Sequence, residues 1–148
     1  MVTWESRCQN CGVLMPTRDQ VANVVRSHFD LWNAGDKETW RGIWHPELVM
    51  LDPVGEPEKH GVAAIENTWD RAFQPGHSWN LEPVFMSVCG DQAAVHVLNH
   101  ANLDGRSFEL ETIEIYWVGE DGRIARCHTY FTVEEGMELD PYWMPASS

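Results

Sequence analysis

Positive charge is scarce in this 148-residue chain: 10 Lys plus Arg stand against 23 Asp plus Glu, a formal net charge of −13. That balance argues against nucleic acid and anionic membrane as partners. No apolar run is long enough to span a bilayer. The start, "MVTWESRCQNCGVLMP", lacks a basic opening and an apolar stretch of signal length, so the expected location is the cytoplasm. Cysteine is also sparse, at four residues. "CQNCG" sets Cys8 and Cys11 at metal-knuckle spacing, but no second Cys-x-x-Cys completes a tetrahedral site. The expectation is no metal and no cofactor. Cys89 and Cys127 lie in strand-like runs and read as small buried hydrophobes. Internal repeats and low-complexity tracts are absent.

Tryptophan, by contrast, is abundant, at eight residues. So many indoles must line a core, a pocket or an interface. Length and composition fit one domain with one core. Residues 1–16 read as an irregular extension, 17–135 as the domain and 136–148 as a tail with apolar residues.

"TRDQVANVVRSHFDLWNAGD" predicts a helix, with Thr17 and Gln20 as a capping box and Gly35 as its C-terminal cap. Val21, Val24, Val25, His28, Leu31 and Trp32 fall on one face. "KETWRGIW" predicts a short second helix carrying Trp40 and Trp44. "HPELVMLDPVG" predicts a strand and turn, and "HGVAAIENTWDRAFQPG" a third helix. From residue 77 the period changes to two, and four strands follow, with Asp-Gly turns in "LDGR" and "GEDGR". Three helices followed by an antiparallel meander predict an α+β fold, a cone-shaped roll whose curved sheet encloses an apolar pocket.

Three polar groups are out of place in this pattern. Asp52 ends an apolar run, Leu48 to Leu51, just before Pro53. It reads either as an Asp-Pro turn or as a buried general base. His28 interrupts the apolar stripe of the first helix, as a satisfied core histidine or a catalytic one. Glu114 lies between Ile113 and Ile115, on the strand face shared with Phe108, Leu110, Thr112 and Tyr116. An ion pair at a solvated edge and a functional acid both fit it. His96, Leu98 and His100 take one face of their strand, Val95, Val97 and Asn99 the other.

"NAGD", "DPVG" with the later "GVAAIENTW", and "GR…IEIYWVGEDGRI" occur in an order and spacing that resembles the bacterial ketosteroid isomerases. More widely the chain resembles the superfamily of scytalone dehydratase, SnoaL-like polyketide cyclases and nuclear transport factor 2. The resemblance runs from about Val21 to Val133. It implies an enzyme that needs no cofactor and moves a proton next to a carbonyl in a hydrophobic steroid or polycyclic ketone. It places Asp52 as the base and Glu114 as a protonated donor to the enolate oxygen. His28 stands where the isomerases have a tyrosine donor. It either donates an N–H to the oxyanion or pairs with Asp52 in a dehydratase or cyclase reaction. Trp32, Trp44, Val54, Trp69, Val97, Asn99, Thr112 and Phe131 are the expected pocket residues. A binding module without catalysis is the reading from another class. The resemblance also implies a homodimer through the outer sheet face, with His96, Leu98, His100, Ile113, Ile115, His128 and Tyr130 on it.

Overall fold

The computed structural model describes residues 14–133 and Glu135. Cys8, Cys11 and the tail 136–148 lie outside the described residues. The first helix, α1, is Arg18–Ala34. Thr17 Oγ1 accepts from the Gln20 N–H at 3.2 Å, and the Gln20 side chain accepts from the Thr17 N–H at 2.8 Å, closing the capping box. Gly35 ends the helix at φ 70°, a left-handed position that glycine occupies without Cβ strain. The helix buries Val21, Val25, His28, Phe29 and Trp32; Val24 and Leu31 sit at the edge of that stripe.

Helix α2, Lys37–Gly42, is shorter than the sequence pattern predicts. Trp44 is not on it. Gly42 and the approaching Pro46 disfavour another helical turn. Trp44 instead opens strand β1, Trp44–Leu51. A two-residue strand, β2 (Lys59–His60), and helix α3 (Gly61–Ala72) follow. Strands β3 (His77–Cys89), β4 (Gln92–Leu103), β5 (Arg106–Val118) and β6 (Ile124–Tyr130) complete the fold. Asp104 and Gly105, at φ 54° and 86°, make the tight β4–β5 turn that matches strand twist.

The sheet order is β2-β1-β6-β5-β4-β3. Among the strands of the described residues, β1 and β6 pair in parallel and the other neighbours are antiparallel. α1 packs on β3 and α3 on β1, which encloses the inner face of the sheet. This is the predicted α+β roll. Val21, Val25, Leu48, Val97 and Ile124 are fully buried there. Cys127 is buried as expected, whereas Cys89 is exposed because it ends β3 at the Gly90 turn. Among the described residues no helix is long and apolar enough to cross a membrane.

Candidate active site

Strand register brings the out-of-place polar groups together. On β5 and β6, Glu114 pairs with Thr129. β1 runs beside β6 with Leu51 opposite His128, and the Val54 N–H donates to the Thr129 carbonyl at 2.9 Å. The chain between those two ties carries Asp52, followed by a cis bond to Pro53. Asp52 and Glu114 thus approach the same point of β6, and the Thr129 side chain is near enough to the Asp52 carboxyl to lower it. His28 reaches this region from α1.

A half-enclosed cavity of about 100 Å³ lies between these groups. His28, Asp52 and Glu114 all line it, with Trp32, Trp44, Asn99, Thr112 and Phe131 from the expected pocket set. Three expected members do not. Val54 is 41% exposed, because the turn after Pro53 carries it to the outer surface. Val97 is packed wholly into the core. Trp69 lies behind the wall, stacked on Phe73 with ring centroids 4.3 Å apart and 5.3 Å from Trp32.

The cavity also holds groups that sequence reasoning did not single out. Trp40 lines it and donates its indole N–H to His28 Nδ1 at 2.9 Å. An indole nitrogen only donates, so Nδ1 must accept and the imidazole proton resides on Nε2. Tyr116 bonds through its hydroxyl to Glu114 Oε2, and Thr112 Oγ1 donates to Glu114 Oε1 at 2.8 Å. Outside the cavity lining, Lys59 Nζ donates to the Asp52 backbone carbonyl at 2.9 Å. Period two already put Tyr116 on the Glu114 face, which was the available signal. Lys59 sits on a strand too short to show periodicity.

Burial dominates the electrostatics. It pushes the Glu114 carboxyl up to about 7, against the lowering effect of its bonds from Tyr116 and Thr112; the nearby Asp52 charge pushes it further up. Burial also raises Asp52, opposed by the Lys59 charge and the Thr129 side chain. Residue Asp52 keeps some surface, but its carboxyl head is enclosed. The His28 imidazole falls to about 3 by desolvation and stays neutral. Burial raises the Tyr116 hydroxyl and Cys127 thiol far above their usual ranges, so neither ionises near neutrality. Among the described residues no group of three or more His, Cys, Asp or Glu is placed to hold a metal ion.

The arrangement provides a carboxylate, a neutral N–H donor and a second carboxyl held near its protonation midpoint, in apolar walls. Comparison with known proteins agrees on the fold. The SnoaL-like domain family matches residues 25–127. An epoxide hydrolase of Mycobacterium tuberculosis, of the LEH-like type, superposes with a TM-score of 0.70 at 16% identity, covering 79% of this chain and 86% of that one. SalBIII, an epoxide hydrolase/cyclase-like enzyme with a role in pyran ring formation in salinomycin, gives 0.69 at 18% identity, covering 78% and 92%. A candidate polyketide cyclase of Xanthomonas campestris gives 0.68 at 17%, covering 78% and 92%. No curated protein matches the chain in sequence.

Proposed function

The chain belongs to the SnoaL-like domain family, and from that premise we propose that it is an enzyme that removes and returns a proton beside a carbonyl in a hydrophobic substrate. Asp52 is the base. As it takes the C–H proton, the C–H electron pair forms a new carbon–carbon π bond and the carbonyl π pair moves onto oxygen. His28 Nε2–H stabilises that oxygen from one side, and the Glu114 carboxyl with the side chains bonded to it from the other. Return of the proton at another carbon gives isomerisation of the ketosteroid type. Attack of the enolate carbon on a second carbonyl gives cyclisation.

One observation carries this reading: His28, Asp52 and Glu114 line one cavity, with the His28 proton directed to Nε2 by Trp40. The Trp40 bond also weighs against a His28–Asp52 proton shuttle, since it occupies Nδ1 and burial lowers the affinity of the imidazole for a second proton. The cost of burying two carboxyls also weighs against a purely binding role. Size favours a compact reacting end. A cavity of about 150 Å³ holds benzene; about 100 Å³ is smaller than that, so it takes only the reacting end of a substrate, with the rest reaching toward the open side.

A second reading is epoxide opening, with Glu114 protonating the epoxide oxygen and Asp52 directing water. The Glu114 carboxyl, pushed up to about 7, favours it, because an acid must hold its proton near neutrality. Incubation in D₂O with cyclic ketones and enones, followed by NMR, separates the two. Deuterium entering beside the carbonyl, and no longer entering with Asp52→Asn, supports proton abstraction. Diol formation from a matched epoxide panel without any exchange replaces it with the second reading. Tight ketone binding with neither reaction leaves a binding module.

A further inference from the structure

Glu114 receives two hydrogen bonds, and the direction of one is fixed by its surroundings. Asn99 Nδ2 lies 3.1 Å from the Leu110 carbonyl and 3.0 Å from Thr112 Oγ1. An amide nitrogen donates and a carbonyl accepts, so both amide hydrogens are placed and Thr112 Oγ1 must accept one. The Thr112 hydrogen then goes to Glu114 Oε1, 2.8 Å away. Oε1 is an acceptor whatever the charge on Glu114. Its other oxygen, Oε2, faces the Tyr116 hydroxyl. A proton placed on Oε2 keeps the Thr112 bond intact and has the Tyr116 oxygen as its acceptor. The Tyr116 hydrogen must then leave the bond it makes to a charged Glu114. Tyr116 lines the cavity, which is the open space beside it.

We propose that Tyr116 is a catalytic residue, and that Glu114 reaches the substrate through it. Its hydroxyl donates into the cavity while Glu114 holds a proton, and turns back to Glu114 when that proton is lost. The inference rests on the proton-abstraction reading and names the group that meets the developing oxyanion. While Asp52 takes the C–H proton, Tyr116 O–H donates to the substrate oxygen. For full transfer, the Tyr116 proton moves to that oxygen and the Glu114 proton moves to the Tyr116 oxygen. The products are an enol, a protonated Asp52, a neutral phenol and a Glu114 carboxylate, and the reverse step restores all four.

The remaining titratable neighbours are few. His28 faces Tyr116 from α1, with ring centroids 5.4 Å apart. Asp52 acts on the pair from the end of β1 and Cys127 from β6, while Lys59 of β2 acts on Asp52 and Cys127. Desolvation keeps His28 neutral and Cys127 a thiol around neutrality. Loss of donation with rising pH thus belongs to Glu114, at about 7. Asp52, also raised by burial, must be ionised to act as the base.

Glutamine is a permanent mimic of the protonated acid here. Its oxygen accepts from Thr112, and its NH₂ donates to the Tyr116 oxygen at every pH. Glu114→Gln is expected to keep deuterium exchange within about tenfold of wild type and to lose the decline above pH 7. Adding Tyr116→Phe to Glu114→Gln is expected to cost about 100-fold, the loss of one oxyanion donor. A cost below about threefold overturns the proposal, because Glu114 then meets the substrate directly. A second arm needs no substrate. In protein labelled with 3-fluorotyrosine, the ¹⁹F resonance that disappears with Tyr116→Phe should titrate near pH 7 and stay flat with Glu114→Gln. A flat resonance in the wild-type protein overturns the relay. A titrating resonance supports it, even where no ketone exchanges and the reaction reading fails.

Discussion

The Trp40 indole N–H donates to His28 Nδ1 across 2.9 Å, joining α2 to α1 inside the core. This single bond decides which nitrogen of His28 faces the chemistry as a donor. Trp40→Phe keeps most of the ring volume and removes the donor. The imidazole can then take either tautomer, and the exchange rate should fall on the order of tenfold, the scale expected for a lost orienting partner. Two-bond ¹H–¹⁵N spectra should show Nε2 protonated in the wild-type protein and a mixture in the variant. A wild-type imidazole protonated on Nδ1 would remove His28 as the proposed donor.

The difference between what the residues announced and what they concealed has physical causes. His28, Asp52 and Glu114 were visible because each breaks an apolar pattern, and a buried polar group needs a reason. Period two placed Thr112, Glu114 and Tyr116 on one face, and all three are buried on it. What periodicity cannot give is depth. Val97 and Asn99 share the inner face of β4, yet only Asn99 reaches the cavity. Trp40 and Trp44, spaced by four, imitated one helix, but Gly42 lies between them and the second indole belongs to the sheet. The Trp40–His28 bond links two helices, and no spacing rule encodes it.

Stability against pH should show two opposed slopes. The Glu114 carboxyl rises from 4.5 to about 7 on folding, so its contribution is fully present below pH 4.5 and is lost as pH rises through about 7. His28 falls from 6.5 to about 3, so its contribution is fully present above pH 6.5 and is lost as pH falls toward 3. The two slopes oppose each other between pH 4.5 and 6.5. Asp52, also raised, adds to the Glu114 slope. Urea titrations across this window should show a more negative slope of stability against pH than wild type in His28→Gln and a more positive slope than wild type in Glu114→Gln. For Glu114 the span corresponds to on the order of 3 kcal/mol. Parallel curves for both variants would contradict the assigned directions.

The outer sheet face predicts self-association. Phe85, Ile113 and Tyr130 are 66%, 46% and 42% exposed and line one shallow groove on it. Beside them His96 pairs with Glu111, and His100 with Glu82, each at 2.7 Å. A two-fold pairing of this face would bury the aromatic and aliphatic groups against their own copies. Light scattering at micromolar concentration should give about twice 17.0 kDa. Phe85→Glu with Ile113→Glu should halve that mass without unfolding the chain. A wild-type mass near 17.0 kDa contradicts the dimer.

Asp52→Asn is the direct test of the base. The amide is nearly isosteric but cannot accept the substrate proton, so exchange should fall by at least 100-fold, the lower end of a general-base contribution. Its effect on stability should have the opposite sign. Burial is the largest influence on Asp52, larger than the opposing Lys59 charge and Thr129 side chain. Removing the carboxyl therefore relieves more desolvation than it forfeits in attraction, and at pH 8 the melting temperature should hold or rise. Loss of exchange together with a lower melting temperature would mean that the substitution damaged the fold. Exchange at the wild-type rate would move the base elsewhere in the cavity, with Glu114 next in line because it is the other carboxyl on its wall.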